Sequence, residues 1–485
     1  MRFAMMMTIG VLAGSAHTQP STAGPGEPGR VLAPQKISNT AAASADLGDQ
    51  LFKLLPNDGA ADDRFGWSVA ISGATAIVGA YVDDDNGNQS GSAYLFNTTT
   101  GLQFFKYLPN DGAAGDQFGF SVAISGAIAI VGAYRDDDNG SNSGSAYLFD
   151  SDITAGGGQM AKLLPNDGAA NDWFGWSVAI DGATATVGAY GDDDNGIFSG
   201  SVYLFDISDP ANPTQLFKLL PDDGAQGDEF GFSVAISGAI VLVGAPFDND
   251  NGDFSGSAYL FDGTTGRQIA RLLPNDGAAG DLFGRSVAIS GTTAIVGAVG
   301  DDDNGSNSGS AYLFDATTGR QIAKLLPNDG ASGDRFGWSV AISGSTAIVG
   351  AKGDDDNGSN SGSAYLFDTT TGRQIAKLLA NDGSAEDTFG QSVAISGATA
   401  IVGAYVDDDN GTDSGSAYLF DAGAPGTCPW DVNGDGVVNH HDILEVVHNM
   451  GPCDDPDNCP WDVNGDGIVN GRDVAAVATH FGRCP

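Results

Sequence analysis

The chain is 485 residues long and carries 62 Asp+Glu against 20 Lys+Arg, a formal charge of -42. So acidic a protein argues against nucleic acid or anionic membrane as a partner and points to cations or polar extracellular ligands. Only Glu27, Glu229, Glu386 and Glu445 are glutamates, so nearly all the acid is Asp, a residue of turns and oxygen-ligand metal loops.

Met1-Arg2 opens an apolar run from Phe3 to Ala13 that ends on Gly14, Ser15 and Ala16. This predicts a signal peptide over residues 1–16 and a secreted protein, extracellular or on the cell surface. Residues 17–45 are rich in Pro, Gly, Ser and Ala, cannot bury a core, and read as a flexible linker. No later segment has the roughly 20 continuous apolar residues of a membrane span. All four cysteines lie at or beyond Cys428, which predicts a separate, disulfide-stapled end.

Residues 46–421 are built from one unit. Phe-Gly begins at Phe65, Phe118, Phe174, Phe230, Phe283, Phe336 and Phe389, at spacings of 53 or 56 residues. In the unit from Phe336, short Val/Ile/Tyr/Phe-rich runs bounded by Gly, Asn, Asp and Ser predict strands at 336–343, 346–351, 363–367 and 373–379. Seven four-stranded units suit a β-propeller, with a linear β-solenoid as the alternative. Closure decides between them. The seventh unit stops at Asp421 without its fourth strand, while Leu51-Phe52-Lys53-Leu54-Leu55 ahead of the first unit matches a fourth strand. An orphan strand at one end that completes the deficient unit at the other is what a ring requires.

These residues resemble the FG-GAP family, the repeat of the integrin α-subunit head. Gly244-Ala245-Pro246 spells the second half of that name, and elsewhere the proline is replaced, as in Gly79-Ala80-Tyr81, Gly297-Ala298-Val299 and Gly350-Ala351-Lys352. The resemblance implies an all-β, seven-bladed propeller of four-stranded blades, extracellular and engaged in binding; the propeller is expected to be monomeric.

Integrin-type repeats often carry a calcium loop between the first and second strands, where this chain has tight turns such as Ser343-Gly344-Ser345. Its acid lies one loop later, in Asp-Asp-Asp-Asn-Gly runs or close variants. The carboxylates of Asp83 and Asp85, Asp136 and Asp138, Asp192 and Asp194, Asp248 and Asp250, Asp301 and Asp303, Asp354 and Asp356, and Asp407 and Asp409 are therefore candidate calcium ligands. The alternative is a solvated turn in which Asp and Asn cap their own backbone. The residue after Phe-Gly is Trp67, Phe120, Trp176, Phe232, Arg285, Trp338 or Gln391. Such aromatics serve as packing between blades or as a stacking platform for sugars.

After a short linker at 422–427, residues 428–485 hold a second duplication. Asp431, Asn433, Asp435, the Val437 carbonyl, Asn439 and Asp442 fill the ligand positions of an EF-hand loop, with Gly436 at its sharp turn. Asp462, Asn464, Asp466, the Ile468 carbonyl, Asn470 and Asp473 repeat it with Gly467. Two Ca2+ ions are expected. Pro429 and Pro460 precede the loops and oppose entering helices, while apolar residues at helical spacing, Leu444, Val447 and Met450, then Val474, Val477 and Phe481, predict one helix after each loop. A loop-helix pair of this kind resembles the dockerin domain, in a variant flanked by cysteines, and implies docking to a cohesin-type partner. Loop positions usually held by Ser or Thr are His440-His441 and Gly471-Arg472 here. If the helices pack antiparallel as in dockerins, a helix of about nine residues holds its own ends roughly 13 Å apart. That favours disulfides Cys453–Cys459 and Cys428–Cys484 over pairing within each copy, Cys428–Cys453 and Cys459–Cys484.

The propeller contains no histidine, and its units read as near copies without the local asymmetry of an active site. The expectation is a non-enzymatic binding or display protein with an extracellular protein or carbohydrate ligand. The alternatives are a component of a polysaccharide-degrading system, including a glycoside hydrolase, or a structural cell-envelope protein.

Overall fold

The computed structural model describes residues 47–152 and 156–423, together with scattered residues between 437 and 483. The signal peptide at 1–16, the linker at 17–45 and most of the 422–427 connection lie outside the described residues.

Within 47–423 the chain forms seven four-stranded antiparallel sheets. In the first blade the strands run Ser68–Ser72, Thr75–Ala80, Ser92–Asn97 and Gln103–Tyr107, and neighbours in sequence are neighbours in the sheet. The innermost strand alternates, with Val69 and Ile71 buried between half-buried residues. The next two strands are buried almost throughout, because each lies mid-sheet with another blade stacked on either face. The expected boundaries in the sixth blade hold to within one residue: Phe336–Ser343, Thr346–Ala351, Ser363–Asp368 and Arg373–Leu378.

The ring closes through its own ends. Gln50–Leu54 forms the outer strand of the seventh blade and pairs antiparallel with Ser416–Asp421, Lys53 opposite Tyr418 and Leu54 opposite Ala417. The joint between the last and first blades copies the others. A parallel bridge links Phe65 to Gly415 as one links Gly91 to Phe118, and Ser392 Oγ donates to the Gly66 carbonyl at 2.8 Å as Ser121 Oγ does to Gly175 at 2.7 Å.

The repeated Phe-Gly has a packing reason. Phe65 is fully buried and meets Tyr94 and Phe96 edge-on, with ring centroids 5.5 and 5.7 Å apart. Gly66, at φ +89°, backs onto the neighbouring blade, where a Cβ would collide with the Ser416 carbonyl. Gly79, the glycine of the second half-motif, faces the Gly119 carbonyl of the next blade as closely.

In the terminal module, Ile443, Leu444, Val446 and Val447 are helical, as are Arg472, Val474 and Val477. Two short antiparallel pairs cross between the copies: Val437–Val438 with Gly482–Arg483, and Gly451–Pro452 with Ile468–Val469. Val446 and Val477 are fully buried. Leu444, Val447 and Met450, predicted as an apolar helix face, are exposed at 46, 42 and 49%; the core is reached from the Val446 side. The four cysteines and the loop ligands other than Val437 and Ile468 lie outside the described residues.

Candidate functional site at the mouth of the propeller

The acid loops do not stand open. In the first blade the Asp83 carboxyl is buried; one oxygen accepts the Asp85 N–H at 3.0 Å, and the other accepts the Tyr94 hydroxyl at 2.8 Å and Lys106 Nζ at 2.9 Å. Lys106 also pairs with Asp85 at 2.6 Å and with Asp58 of the preceding connection at 2.9 Å. The ammonium thus sits among three carboxylates. Lys162, Lys218, Lys324, Lys377 and, in the closing blade, Lys53 repeat the arrangement, while Arg271 pairs with Asp223 and Asp250 in the fourth. Burial works against ionising Asp83, yet the Lys106 ammonium and the Asp85 N–H hold its carboxyl below the usual range.

A protein cation therefore occupies the place that the sequence reading offered to calcium at Asp83 and Asp85 and their counterparts. Among the described residues no group of three or more Asp, Glu, His or Cys side chains is placed to hold a metal ion. The signal was present in the sequence: seven of the 20 basic residues recur at one position on the fourth strand. A second buried series, Asp63 and its equivalents, accepts the N–H three residues earlier, 2.7 Å for Asp63 and Ala60, and burial pushes Asp63 up to about 6. Sevenfold recurrence marks this as turn structure.

Around the axis, Trp67, Phe120, Trp176, Phe232, Arg285, Trp338 and Gln391 line a cavity of about 240 Å³. The two roles expected for this position coincide. Trp67 and Phe120, Phe120 and Trp176, and Trp176 and Phe232 touch across successive blade boundaries at 5.3, 4.5 and 5.5 Å, and the same rings face the cavity. Tyr81, Tyr134 and Tyr190 back them at 4.8, 4.4 and 4.6 Å.

Beyond Phe232 the lining passes to Arg285, Trp338 and Gln391, with Lys352 and Arg335 set against Trp338. The Arg285 guanidinium lies 4.8 Å from the Phe232 centroid and 4.0 Å from that of Trp338. Lys352 Nζ stands 3.2 Å over Trp338 and donates to Gln391 Oε1 at 3.2 Å, and Arg335 lies 5.9 Å from the same ring. Burial, then the charges of Arg285 and Arg335, pull Lys352 down to about 7. Burial likewise pulls Arg285 down to about 10.

On the rim of the third and fourth blades, Phe198 and Phe254 are exposed at 38 and 52% and held at φ +58° and +59°. Phe198 stacks on Trp173 at 5.5 Å with the planes 6° apart; Trp173 meets Tyr190, which meets Trp176. Phe254 meets Phe247, which meets Phe232. Aromatic surface thus runs from the axis to the rim. The other five blades place Gln89, Asn142, Asn307, Asn360 and Asp413 at this left-handed position, a conformation Asn and Asp tolerate and a bulky residue adopts at a cost of about 1 kcal/mol or more. Phe198 and Phe254 keep part of each ring in solvent despite that cost.

The blades are near copies in their strands, but not at this face. The residue before Phe-Gly is Arg64, Gln117, Trp173, Glu229, Leu282, Arg335 or Thr388, and the residue after Gly-Ala is Tyr in four blades but Pro246, Val299 and Lys352 in the other three. The asymmetry that the sequence reading found missing is gathered at the mouth.

Family models match the FG-GAP repeat at residues 49–96, 103–149, 158–205, 213–261, 267–314, 320–367 and 373–420, and the Dockerin type I domain at residues 429–482. A comparison with curated proteins gave no match. FG-GAP propellers and dockerins are typically non-catalytic domains of extracellular or cell-surface proteins, and dockerin type I domains bind calcium and imply a cohesin-type partner. No described helix is long and apolar enough to cross a membrane. With FG-GAP repeats over more than half of its length, the chain belongs to the FG-GAP repeat family, as a seven-bladed propeller followed by a dockerin type I domain.

Proposed function

We propose that this is a secreted, non-catalytic binding protein whose propeller holds a saccharide ligand on its mouth face while the dockerin domain, loaded with two calcium ions, docks to a cohesin-type partner. The observation that carries the reading is the aromatic path from Trp176 and Phe232 to the exposed, left-handed Phe198 and Phe254. Flat exposed rings offer stacking area at little entropic cost, and strained residues kept at a surface are a mark of function. On the dockerin side, exposed Leu444, Val447 and Met450 supply an apolar strip for the partner.

Catalysis is the weaker reading. The Asp carboxyls raised by burial recur blade after blade in the same turn, as Asp63, Asp172, Asp228 and Asp387 do, and Glu229, raised by burial to about 7 in one blade alone, is acted on by the Arg285 charge rather than by a second carboxyl, whereas an acid/base pair needs neighbours tuned apart.

Affinity electrophoresis of the full chain through gels containing soluble polysaccharides tests the proposal. Retardation by at least one polysaccharide without release of reducing ends is expected, and Phe198→Ala with Phe254→Ala should together weaken it about thirtyfold, in line with about 1 kcal/mol for each of the two aromatic contacts. Retardation that survives the double substitution, or steady product release, would count against it.

A further inference from the structure

Seven internal cations of the propeller sit among carboxylates. Arg285, Arg335 and Lys352 do the opposite: they converge on Trp338 and make no ion pair with a described residue. In a chain of net charge -42, three cations gathered without an acid require explanation. Glu229 is the one carboxyl whose charge bears on Arg285, and burial pushes it up to about 7, so it is a weak counter-ion at neutral pH. Aromatic faces hold these cations in place and, apart from the bond Lys352 donates to Gln391, leave their hydrogen-bond capacity for something else.

We propose, resting on the saccharide reading above, that the Arg285–Arg335–Lys352 quarter of the mouth receives the carboxylate of a uronic acid unit carried by an otherwise neutral saccharide chain. The ligand must bring both a flat apolar ring for the Trp67–Phe120–Trp176–Phe232 arc and an anion for the quarter beside it; a uronate joins the two within one unit. The cavity of about 240 Å³ falls below the ~300–1,000 Å³ of pockets that enclose drug-sized ligands, so it suits one ring-sized group. The net charge selects further. A polyanion would be repelled along its whole length, whereas a single carboxylate feels mainly charges within the Debye length of about 8 Å. An Asp or Glu side chain of a peptide would supply the anion without the ring. Lys352 at about 7 fits the assignment: an arriving carboxylate stabilises its charged form, so binding at pH 8 should take up a proton.

Calorimetric titration of the full, calcium-loaded chain uses three probes: a xylo-oligosaccharide with one glucuronate branch, the same oligosaccharide after reduction of its carboxyl to the alcohol, and a capped peptide whose one charge is a single glutamate. The acidic oligosaccharide should bind at least about tenfold more tightly than its reduced form, the worth of one charged hydrogen bond. Arg285→Gln and Lys352→Met should each bring the ratio of the two affinities close to one, and near-ultraviolet dichroism and urea midpoints like those of the wild type show that both variants fold. Equal affinity for the two oligosaccharides, or a preference that survives both substitutions, overturns the carboxylate subsite and leaves the aromatic platform standing. Peptide binding as tight as that of the acidic oligosaccharide overturns the saccharide assignment. Failure of both oligosaccharides to bind overturns the subsite, and the platform reading falls with it only if every polysaccharide gel also fails to retard the chain.

Discussion

Replacing Lys324 with methionine tests whether the acid loops are built around lysine. Lys324 Nζ lies 2.9 Å from Asp276, 2.9 Å from Asp301 and 2.6 Å from Asp303. Asp301 is 4% exposed and would keep the Tyr312 hydroxyl at 2.9 Å and the Asp303 N–H at 3.1 Å. Stranding one partner of a buried pair costs about 3–5 kcal/mol. Asp276 and Asp303 are half exposed, at 49 and 51%, and water re-entering beside them lowers the expected loss to about 2–3 kcal/mol. Adding Asp301→Asn removes the stranded charge and should recover about 1 kcal/mol or more, a favourable coupling that a double-mutant cycle would read. Urea unfolding followed by near-ultraviolet dichroism supplies the midpoints. Calcium should stabilise Lys324→Met, whose three carboxylates lack a cation, and leave the wild-type propeller transition where it is. A loss below about 0.5 kcal/mol, with a chelator-sensitive wild-type propeller, would show that these loops take calcium and that the lysine reading is wrong.

Stability should peak near pH 4. The carboxyls of Asp63, Asp172, Asp228 and Asp387, raised by burial to about 6, bind more protons folded than unfolded, so stability falls as pH rises from about 4 to 6. Asp83, Asp136 and Asp301, held below the ordinary value, contribute stability that is lost as pH falls below about 4; urea midpoints from pH 3 to 8 would trace the resulting dome, and a maximum above pH 7 would contradict it. Non-reducing peptide mapping should find Cys428 joined to Cys484 and Cys453 to Cys459. Cys484 follows Gly482–Arg483, which pairs with Val437–Val438 of the first copy, and Cys453 follows Gly451–Pro452, which pairs with Ile468–Val469 of the second; a Cys428–Cys453 peptide would defeat the argument. Chelation of calcium should reduce the helical dichroism of the terminal module under reducing conditions, since Asp431, Asp435 and Asp442 repel one another without a cation, and unchanged dichroism would oppose the two-ion reading.

The strands and the closure of the ring were legible because both are written locally. Strand runs end at Gly, Asn and Asp, and Leu51-Phe52-Lys53-Leu54 copies a fourth strand that the seventh unit lacks. The partner of the acid loops was not legible in that way. Lys106 reaches Asp83 from 23 residues away and Asp58 from 48, so the charge balance appears only when the sheet brings the fourth strand beside the loop. At the mouth, reading the repeat for its constant positions hid the variable ones. Trp173, Phe198, Phe254, Arg335 and Lys352 stand out only when seven units are aligned and their differences are placed on one face. In the terminal module the 3.6-residue period predicted helices after each loop, yet the same apolar strip was free to face solvent, as Leu444, Val447 and Met450 do.

Tryptophan emission during a titration with the glucuronate-branched xylo-oligosaccharide reports directly on whether the mouth is the binding face. The tryptophans of the propeller are Trp67, Trp173, Trp176 and Trp338, all at the mouth, and only Trp430 and Trp461 lie elsewhere in the chain. If the mouth is the binding face, emission must change saturably with the same midpoint as the calorimetric isotherm, and Trp338→Phe must remove part of the amplitude. Heat of binding that saturates while emission stays constant would place the ligand somewhere other than the mouth.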